Sequence, residues 1–210
     1  MKSKISVQPA SEPITLQEVK DSLRITSSSE DTLITQYITD ARIYAENYTQ
    51  RKFITQTLIG YTDSLNSNQS KWWSGTVQGT YNTHIAFGNS FLGIDWTPSQ
   101  SITQIDTIDT ANAETTYLST NYYLENFDQD MLPRVRFNEG SSLPVSLRAQ
   151  NAIKVTFVAG YGDNASDVPS AIRRGIIMMA AHLYTNRGDC GGDSCAKDSG
   201  ANTYLDQYRL

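Results

Sequence analysis

The sequence lacks most of the residues and motifs that are typical of catalytic, metal-binding and cofactor-binding sites. Only two histidines and two cysteines occur in 210 residues. His182 has no carboxylate and no second histidine four residues away, and His84 stands alone in a strand-like segment. Neither a glycine-rich phosphate loop nor a nucleophile elbow is present. These absences argue against an enzyme, so we expect no catalytic residue, no metal ligand and no cofactor.

The two cysteines are too few for the disulfide framework of a small secreted domain. They lie in the segment Asp189-Cys190-Gly-Gly-Asp193-Ser-Cys195, and their spacing differs from the two-residue spacings common in structural zinc sites. A flexible loop, a disulfide and a metal site are all compatible with this segment. The flexible loop is the interpretation that we favour.

An excess of positive charge and a long apolar run are also missing. Lysine and arginine number 17 against 22 acidic residues, giving a net charge of −5. Such a chain does not resemble a protein that grips duplex DNA, because phosphate neutralisation supplies most of that affinity. The longest apolar run, residues 175–183, is about half of the roughly 20 residues that a membrane-spanning helix needs. No apolar run opens the chain, so we expect assembly in the host cytoplasm and no membrane partner.

Helical patterns occupy both ends of the sequence. Thr15 and Glu18 form a capping-box pattern that predicts a short helix over about residues 15–25. A second helix is predicted over about 30–49, where Ser28 and Asp31 offer another cap and apolar residues recur every three or four positions. A third helix is predicted from Asp167 to about residue 186, with a proline in its first turn and apolar residues on almost all sides.

The middle of the chain alternates in the manner of strands. Segments at 53–61, 84–87, 101–108, 115–124, 134–137 and 152–158 predict five or six β-strands. Asp106, Asp109 and Glu114 fall on one of these polar segments, where we expect a solvated face. The glycines of Gly160-Tyr-Gly162 are expected to form a turn after the last strand.

The fold class that follows is α+β in a single domain, residues 1–210. We expect a small α-helical bundle, with an N-terminal helical hairpin within about 15–50 and a C-terminal helix at 168–187. A β-rich region of about 53–160 is inserted between them. Residues 1–13 are predicted to be a flexible arm, and residues 188–210 a mobile loop and tail rich in glycine, aspartate and serine.

Several motifs at the two ends resemble, in the same order, the gp6-like and phiE125 gp8-like head–tail connector proteins of tailed phages. The N-terminal motifs are Leu16-x-x-Val19-Lys20-x-x-Leu23-Arg24-Ile25, then Glu30-Asp31, and then Ala41, Ala45-Glu46 and Arg51. The C-terminal motifs are Val155-x-Phe157-x-Ala-Gly-Tyr-Gly162, Val168-Pro169-x-x-Ile172, Ala181-His182-x-Tyr184-x-Asn186-Arg187 and Tyr208-Arg209. The cysteine-bearing loop and the polar stretch 63–80 depart from the family pattern.

The resemblance implies a structural protein of the virion neck. Such a subunit forms a ring, commonly dodecameric, that docks on the portal protein and receives the tail or a stopper protein. An acidic wall suits the DNA channel of that ring, because passing DNA then makes only passive contact. We expect rings to form mainly on the portal, with the free chain only weakly associated.

The C-terminal segment is our predicted contact with the portal. Glycines free the backbone upstream of it, while its residue types suit interface anchors: Tyr204, Leu205, Tyr208, Arg209 and Leu210. The alternative is that this segment forms a short helix packed against the rest of the subunit.

Two functions of other classes stay open at this point. A β-rich tail module could bind host glycan through Trp72 and Trp73. A metal-dependent enzyme could be built around Cys190, Cys195 and His182, and stoichiometric zinc in the purified protein would revive that alternative.

A glycan screen separates the connector from the recognition module. We expect the purified chain to bind no sugar specifically, because the connector resemblance accounts for nearly the whole sequence. Specific binding that is abolished by Trp72→Ala would contradict this and favour the tail module.

Overall fold

The computed structural model describes residues 1–63, 91–125, 132–138, 141, 146–187 and 193–210. These residues form five α-helices and two antiparallel sheets, so the expected α+β class is confirmed. The chain divides into two compact units. The β unit comprises Met1–Gln8 and Gln56–Ala159, and the helical unit comprises Pro9–Thr55 and Gly160–Leu210.

The helical unit contains all five described α-helices. In chain order they are α1 (Leu16–Leu23), α2 (Asp31–Thr49), α3 (Ser170–Thr185), α4 (Asp193–Asp198) and α5 (Ala201–Leu205). The predicted capping box begins α1: Thr15 accepts a hydrogen bond from the Glu18 amide, and the Glu18 carboxylate accepts one from the Thr15 amide. None of the described helices is both long and apolar enough to cross a membrane.

The predicted cap of α2 is wrong. Glu30 occupies the cap position and makes no side-chain capping bond there. The Asp31 carboxylate instead accepts a hydrogen bond from the Lys20 ammonium at 2.7 Å, and Lys20 is buried. A buried ammonium needs a carboxylate partner. The Asp31 side chain therefore forms an ion pair between α1 and α2 and does not take part in the predicted cap.

Apolar side chains from all five helices form the core of the helical unit. The stripe predicted on α2 supplies Ile34, Ile38, Ala41 and Ala45, all fully or almost fully buried. On α3 one side is buried, while Ile177 and Met178 keep part of their surface exposed. The other buried members are Ile14, Val19, Phe53, Ile54, Val168, Ile172, Ile176, Met179, Ala180, Cys195, Ala196, Ala201 and Leu205.

The C-terminal region is helical where the sequence predicted a loop. Residues 193–198 and 201–205 form α4 and α5, and Cys195, Ala196 and Ala201 are completely buried. Short helices of this kind have no strong local signal, because their stability comes from packing and not from propensity. Residues 188–192 of the predicted loop lie outside the described residues.

A glycine secures the point where the chain re-enters the helical unit. Gly160 has a φ of +140°, and a Cβ there would lie 2.6 Å from the backbone nitrogen of Thr55. Beside it, the Thr55 amide donates to the Gly162 carbonyl and the Tyr161 amide donates to the Phe53 carbonyl, each at 3.0 Å. This bridge confirms the predicted turn, and the close approach to Thr55 explains why the first residue after the last strand is a glycine.

The β unit contains eight described strands. They are β1 (Lys2–Val7), β2 (Gln56–Thr62), β3 (Phe91–Gly93), β4 (Ser99–Ile108), β5 (Glu114–Tyr117), β6 (Tyr122–Glu125), β7 (Arg134–Phe137) and β8 (Ile153–Ala159). Five of them form one sheet in the order β1-β2-β8-β4-β5, and the other three form a second sheet in the order β3-β7-β6. The predicted segment 115–124 divides into β5 and β6 around a turn, and the segment 84–87 lies outside the described residues.

The predicted flexible arm contains a strand. β1 pairs with β2 in antiparallel fashion, from Lys2 opposite Tyr61 to Val7 opposite Thr57. The Trp96 indole donates a hydrogen bond to the Ser3 hydroxyl at 2.8 Å. Because these partners lie fifty or more residues away in the sequence, no local pattern revealed the pairing.

Asp106 was expected on a solvated face and is buried instead. It is 3% exposed and accepts hydrogen bonds from Gln104 and Thr116, and Lys154 approaches it at 3.4 Å. Burial raises the pKa of this carboxyl, but the hydrogen bonds and the charge of Lys154 outweigh it and hold the pKa below its ordinary value. Lys154 also pairs with Glu114 at 2.8 Å, which links β8 to β5.

The Asp106 carboxylate therefore contributes stability at neutral pH that is lost as the pH falls through its lowered pKa. We expect Asp106→Asn to lower the free energy of unfolding by about 1–3 kcal/mol at pH 7, because it removes a charge from a buried hydrogen-bonded cluster. The difference from the wild type should shrink below about pH 4. Denaturant titrations at several pH values measure both effects. The exposed Asp198→Asn is the control, and an equal pH dependence in both variants would contradict the assignment.

Candidate partner interface

The C-terminal segment begins with a helix that is anchored in the core. Leu205 on α5 is completely buried. A Cβ placed on Gly175 of α3 would lie 3.2 Å from two side-chain carbons of Leu205 and 3.4 Å from the Ala201 carbonyl oxygen. The glycine on α3 therefore lets α5 approach closely, and the leucine fills the space that this leaves.

Beyond α5, a single 3-10 turn, Asp206–Tyr208, is held at the C-terminal end of α2. The Tyr48 hydroxyl donates a hydrogen bond to the Asp206 carboxylate at 2.5 Å. The Arg51 Nε donates to the Tyr208 carbonyl oxygen at 2.6 Å. The guanidinium of Arg209 lies over the Tyr48 ring, 4.9 Å from its centroid.

The Tyr48 phenol at this end of α2 remains a neutral hydrogen-bond donor at physiological pH. The hydrogen bond to Asp206 raises the pKa of the Tyr48 phenol, and burial and the Asp206 charge add to this. Tyr44 stacks on Tyr48 with ring centroids 5.7 Å apart. Burial likewise raises the pKa of the nearby Tyr161 phenol.

We name the exposed part of this arrangement the tail surface, comprising Tyr48, Tyr208, Arg209 and Leu210. Tyr48 and Tyr208 are half-buried, Arg209 is exposed, and Leu210 keeps 40% of its surface exposed. Two aromatic rings, a guanidinium and an apolar side chain are the residue types that dominate binding energy in protein interfaces. The surface offers no arrangement of acid, base and nucleophile.

The five sequence-predicted anchors divide into two groups. Leu205 is a core residue, which corrects its assignment as an exposed contact, because a leucine that faces Gly175 is inaccessible to a partner. Tyr204, Tyr208, Arg209 and Leu210 stay at least partly exposed. Sequence reasoning missed Tyr48 and Arg51, since the tyrosine was assigned to the apolar stripe of α2 and the arginine was only part of a family motif.

Among the described residues, the other sequence-predicted candidates form no metal site. His182 is half-buried on α3, and its ring nitrogen lies 3.1 Å from the side-chain amide of Asn186. Cys195 is buried and disulfide-bonded. Within the described ranges, no group of three histidine, cysteine, aspartate or glutamate side chains could hold a metal ion. Trp72, Trp73, His84 and Cys190 lie outside the described residues.

Comparison with protein families supports the connector assignment. The family model of phage gp6-like head–tail connector proteins matches residues 13–89. The resemblance to head–tail connector proteins is confirmed. No curated protein matches the sequence significantly.

Chains in solved structures of particle necks share the fold of this whole chain. A chain in the neck of an empty gene transfer agent particle, computed with C6 symmetry, aligns with a TM-score of 0.74 at 18% identity. A chain in the neck of the native particle, computed with C12 symmetry, aligns with a TM-score of 0.72 at 18% identity. Each alignment covers 100% of this chain and 96% of the other. The family match and the common fold together support a structural protein of a phage-like neck.

Leu205 and Leu210 give a matched test of the tail geometry. We expect Leu205→Ala to lower the free energy of unfolding by about 2–5 kcal/mol, because it opens a cavity beside Gly175. Leu210→Ala should change it by less than about 0.5 kcal/mol, because that side chain is exposed and fills no closed cavity. Denaturant titration of both variants measures the difference. Equal losses would show that the two leucines are not separated into core and surface.

Proposed function

We propose that this connector protein is a subunit of an oligomeric ring that joins the portal of a phage-like particle to its tail or stopper protein. The observation that carries the proposal is the alignment of the whole chain with chains in particle necks computed with C6 and C12 symmetry. A dodecameric ring is consistent with both symmetries, because sixfold symmetry is contained in twelvefold symmetry.

The charge of the chain supports a channel wall. Its net charge of −5 repels the phosphate backbone instead of binding it, so DNA can pass without being retained. Twelve such subunits around one channel would form a strongly acidic ring. The role that we propose is therefore passive contact with DNA during packaging and release.

The tail surface is the contact that we propose for the portal. Its backbone is already fixed by Arg51 and by the Tyr48–Asp206 hydrogen bond. A pre-ordered surface loses little conformational entropy on docking, so a few anchor residues can give useful affinity. The anchors are Tyr208, Arg209 and Leu210 of the tail surface together with the neighbouring Tyr204, and Leu205 holds the segment in place from the core.

The double variant Arg209→Ala, Leu210→Ser tests this contact without removing Leu205. We expect its affinity for portal assemblies of the same particle to fall about tenfold or more, because it removes a guanidinium and an apolar anchor. Its melting temperature should stay close to that of the wild type, since both side chains are exposed. Binding is measured by co-sedimentation with the portal, and activity by completion of particles assembled without the chain.

The control is Ile43→Ser, which alters another exposed apolar side chain of the same unit, one that keeps 45% of its surface exposed. This variant should bind the portal as the wild type does. If the tail variant binds normally and completes particles, the portal contact lies elsewhere on the subunit. If the wild-type chain itself neither binds the portal nor completes particles, the connector function is wrong.

A further inference from the structure

The two edges of the five-stranded sheet differ in charge. The exposed side chains on β1 include Lys2 and Lys4, and neither lysine has an ion pair among the described residues. On the opposite edge, β5 begins with Glu114, whose side chain is 51% exposed, and Asp106 lies on the adjoining strand β4. With Lys154 between them, these two acids leave a net negative charge at that edge. One sheet thus has a cationic edge and an anionic edge.

Both edges also end with an exposed apolar side chain. Val7 closes β1 and is 57% exposed, and Leu118, which follows β5 in an extended conformation, is 67% exposed. Cross-strand partners show that Lys2, Lys4 and Val7 share one face of the sheet, because they stand opposite Tyr61, Ile59 and Thr57 of β2. The ladder continues through Lys154 and Asp106 to Thr116, so Glu114 and Leu118 belong to that same face.

The direction of the two edge strands is the same. Each neighbouring pair in the order β1-β2-β8-β4-β5 is antiparallel, so four reversals leave β1 and β5 parallel. Along each strand the charged residue comes first and the exposed apolar residue last. A register shift between Ile5 and Val7 places one extra residue in β1. Counted along the ladder, the distance from Lys2 to Val7 therefore equals the distance from Glu114 to Leu118.

We infer that β1 of one copy pairs with β5 of a second copy, so that the sheets of neighbouring subunits join edge to edge. This inference rests on the ring proposed above and names one of its subunit contacts. Lys2 and Lys4 then face Glu114 of the neighbour, and Val7 packs near its Leu118. The contact joins two different surfaces, which is the kind that closes into a ring when the rotation between subunits allows it.

Edge lysines normally prevent pairing between sheets. Here the lysines of β1 repel the β1 edge of a second copy, which disfavours a two-fold dimer. They attract the acidic β5 edge instead. Within one sheet, Lys2 stands in the same row as Thr116. Placing Lys2 opposite Glu114 of the neighbour therefore needs an axial offset of about 7 Å, two residues along a strand. A tilt of the strands against the ring axis supplies such an offset, as it does in closed barrels.

Charge reversal on each edge tests the inference, because the contact is head-to-tail. We expect Lys2→Glu, Lys4→Glu and, separately, Glu114→Lys each to weaken self-association about tenfold or more, since like charges then face each other. An equimolar mixture of the two variants should regain association, because every contact again joins opposite charges. Sedimentation velocity over a concentration series measures both for the free chains. Because the free chain is expected to associate only weakly, ring formation by the wild type, by each variant and by their mixture is also imaged on portal assemblies.

The control variant Arg174→Glu, Lys197→Glu carries the same change in net charge on exposed residues of the helical unit and should associate as the wild type does. Failure of the mixture to associate, or normal association of each variant alone, overturns the edge pairing. If rings nevertheless form on the portal, the proposed function stands without it. A wild-type chain that forms no oligomer alone or on the portal overturns both proposals.

Discussion

A buried carboxylate holds together the part of the helical unit on which the proposed interface depends. Glu46 on α2 is 1% exposed and accepts a hydrogen bond from Lys52 at 2.8 Å, with Arg42 at 3.5 Å. Its second oxygen accepts the backbone amide of Phe53 at 3.3 Å, and Arg42 also pairs with Glu12 at 2.7 Å. Because a buried charge that loses its partner is strongly destabilising, this network fixes where α2 ends and where the chain turns toward β2.

The position of that turn determines which side chains contact residues 206–210. The residues between α2 and β2 carry Arg51, which holds the Tyr208 carbonyl, and the segment bridged to Tyr161 and Gly162. At the end of α2, Tyr48 donates a hydrogen bond to Asp206 and packs its ring against the Arg209 guanidinium. A segment with little helical propensity of its own is thereby ordered by contacts with residues more than 150 positions earlier. The anchors of the proposed portal contact are presented by a rigid base.

The two units suit different parts of the proposed connector role. In the helical unit, polar and aromatic side chains around a fixed tail form a compact surface for a protein partner. In the β unit, the polarised edges of a five-stranded sheet suit repeated contact between identical subunits. Neither role needs catalytic chemistry, which agrees with a sequence so poor in histidine and with a buried acid, Asp106, whose partners stabilise the sheet. An acidic chain also remains compatible with a DNA channel.

Local patterns in the sequence determined the main helices, most strands and the resemblance to head–tail connector proteins. The capping box at Thr15, the stripe on α2, the segment at 134–137 and the turn after the last strand are all short-range signals, so each could be predicted. Tertiary structure decided the rest. The strand β1 needs a partner fifty or more residues away, and α4 and α5 are stabilised by packing. Asp106 is buried where the neighbouring strands β5 and β8 supply Thr116 and Lys154 as partners. Leu205 lies in the core and is not a partner contact, because Gly175 leaves room for its side chain. No local sequence pattern shows which residue packs against a glycine of another helix.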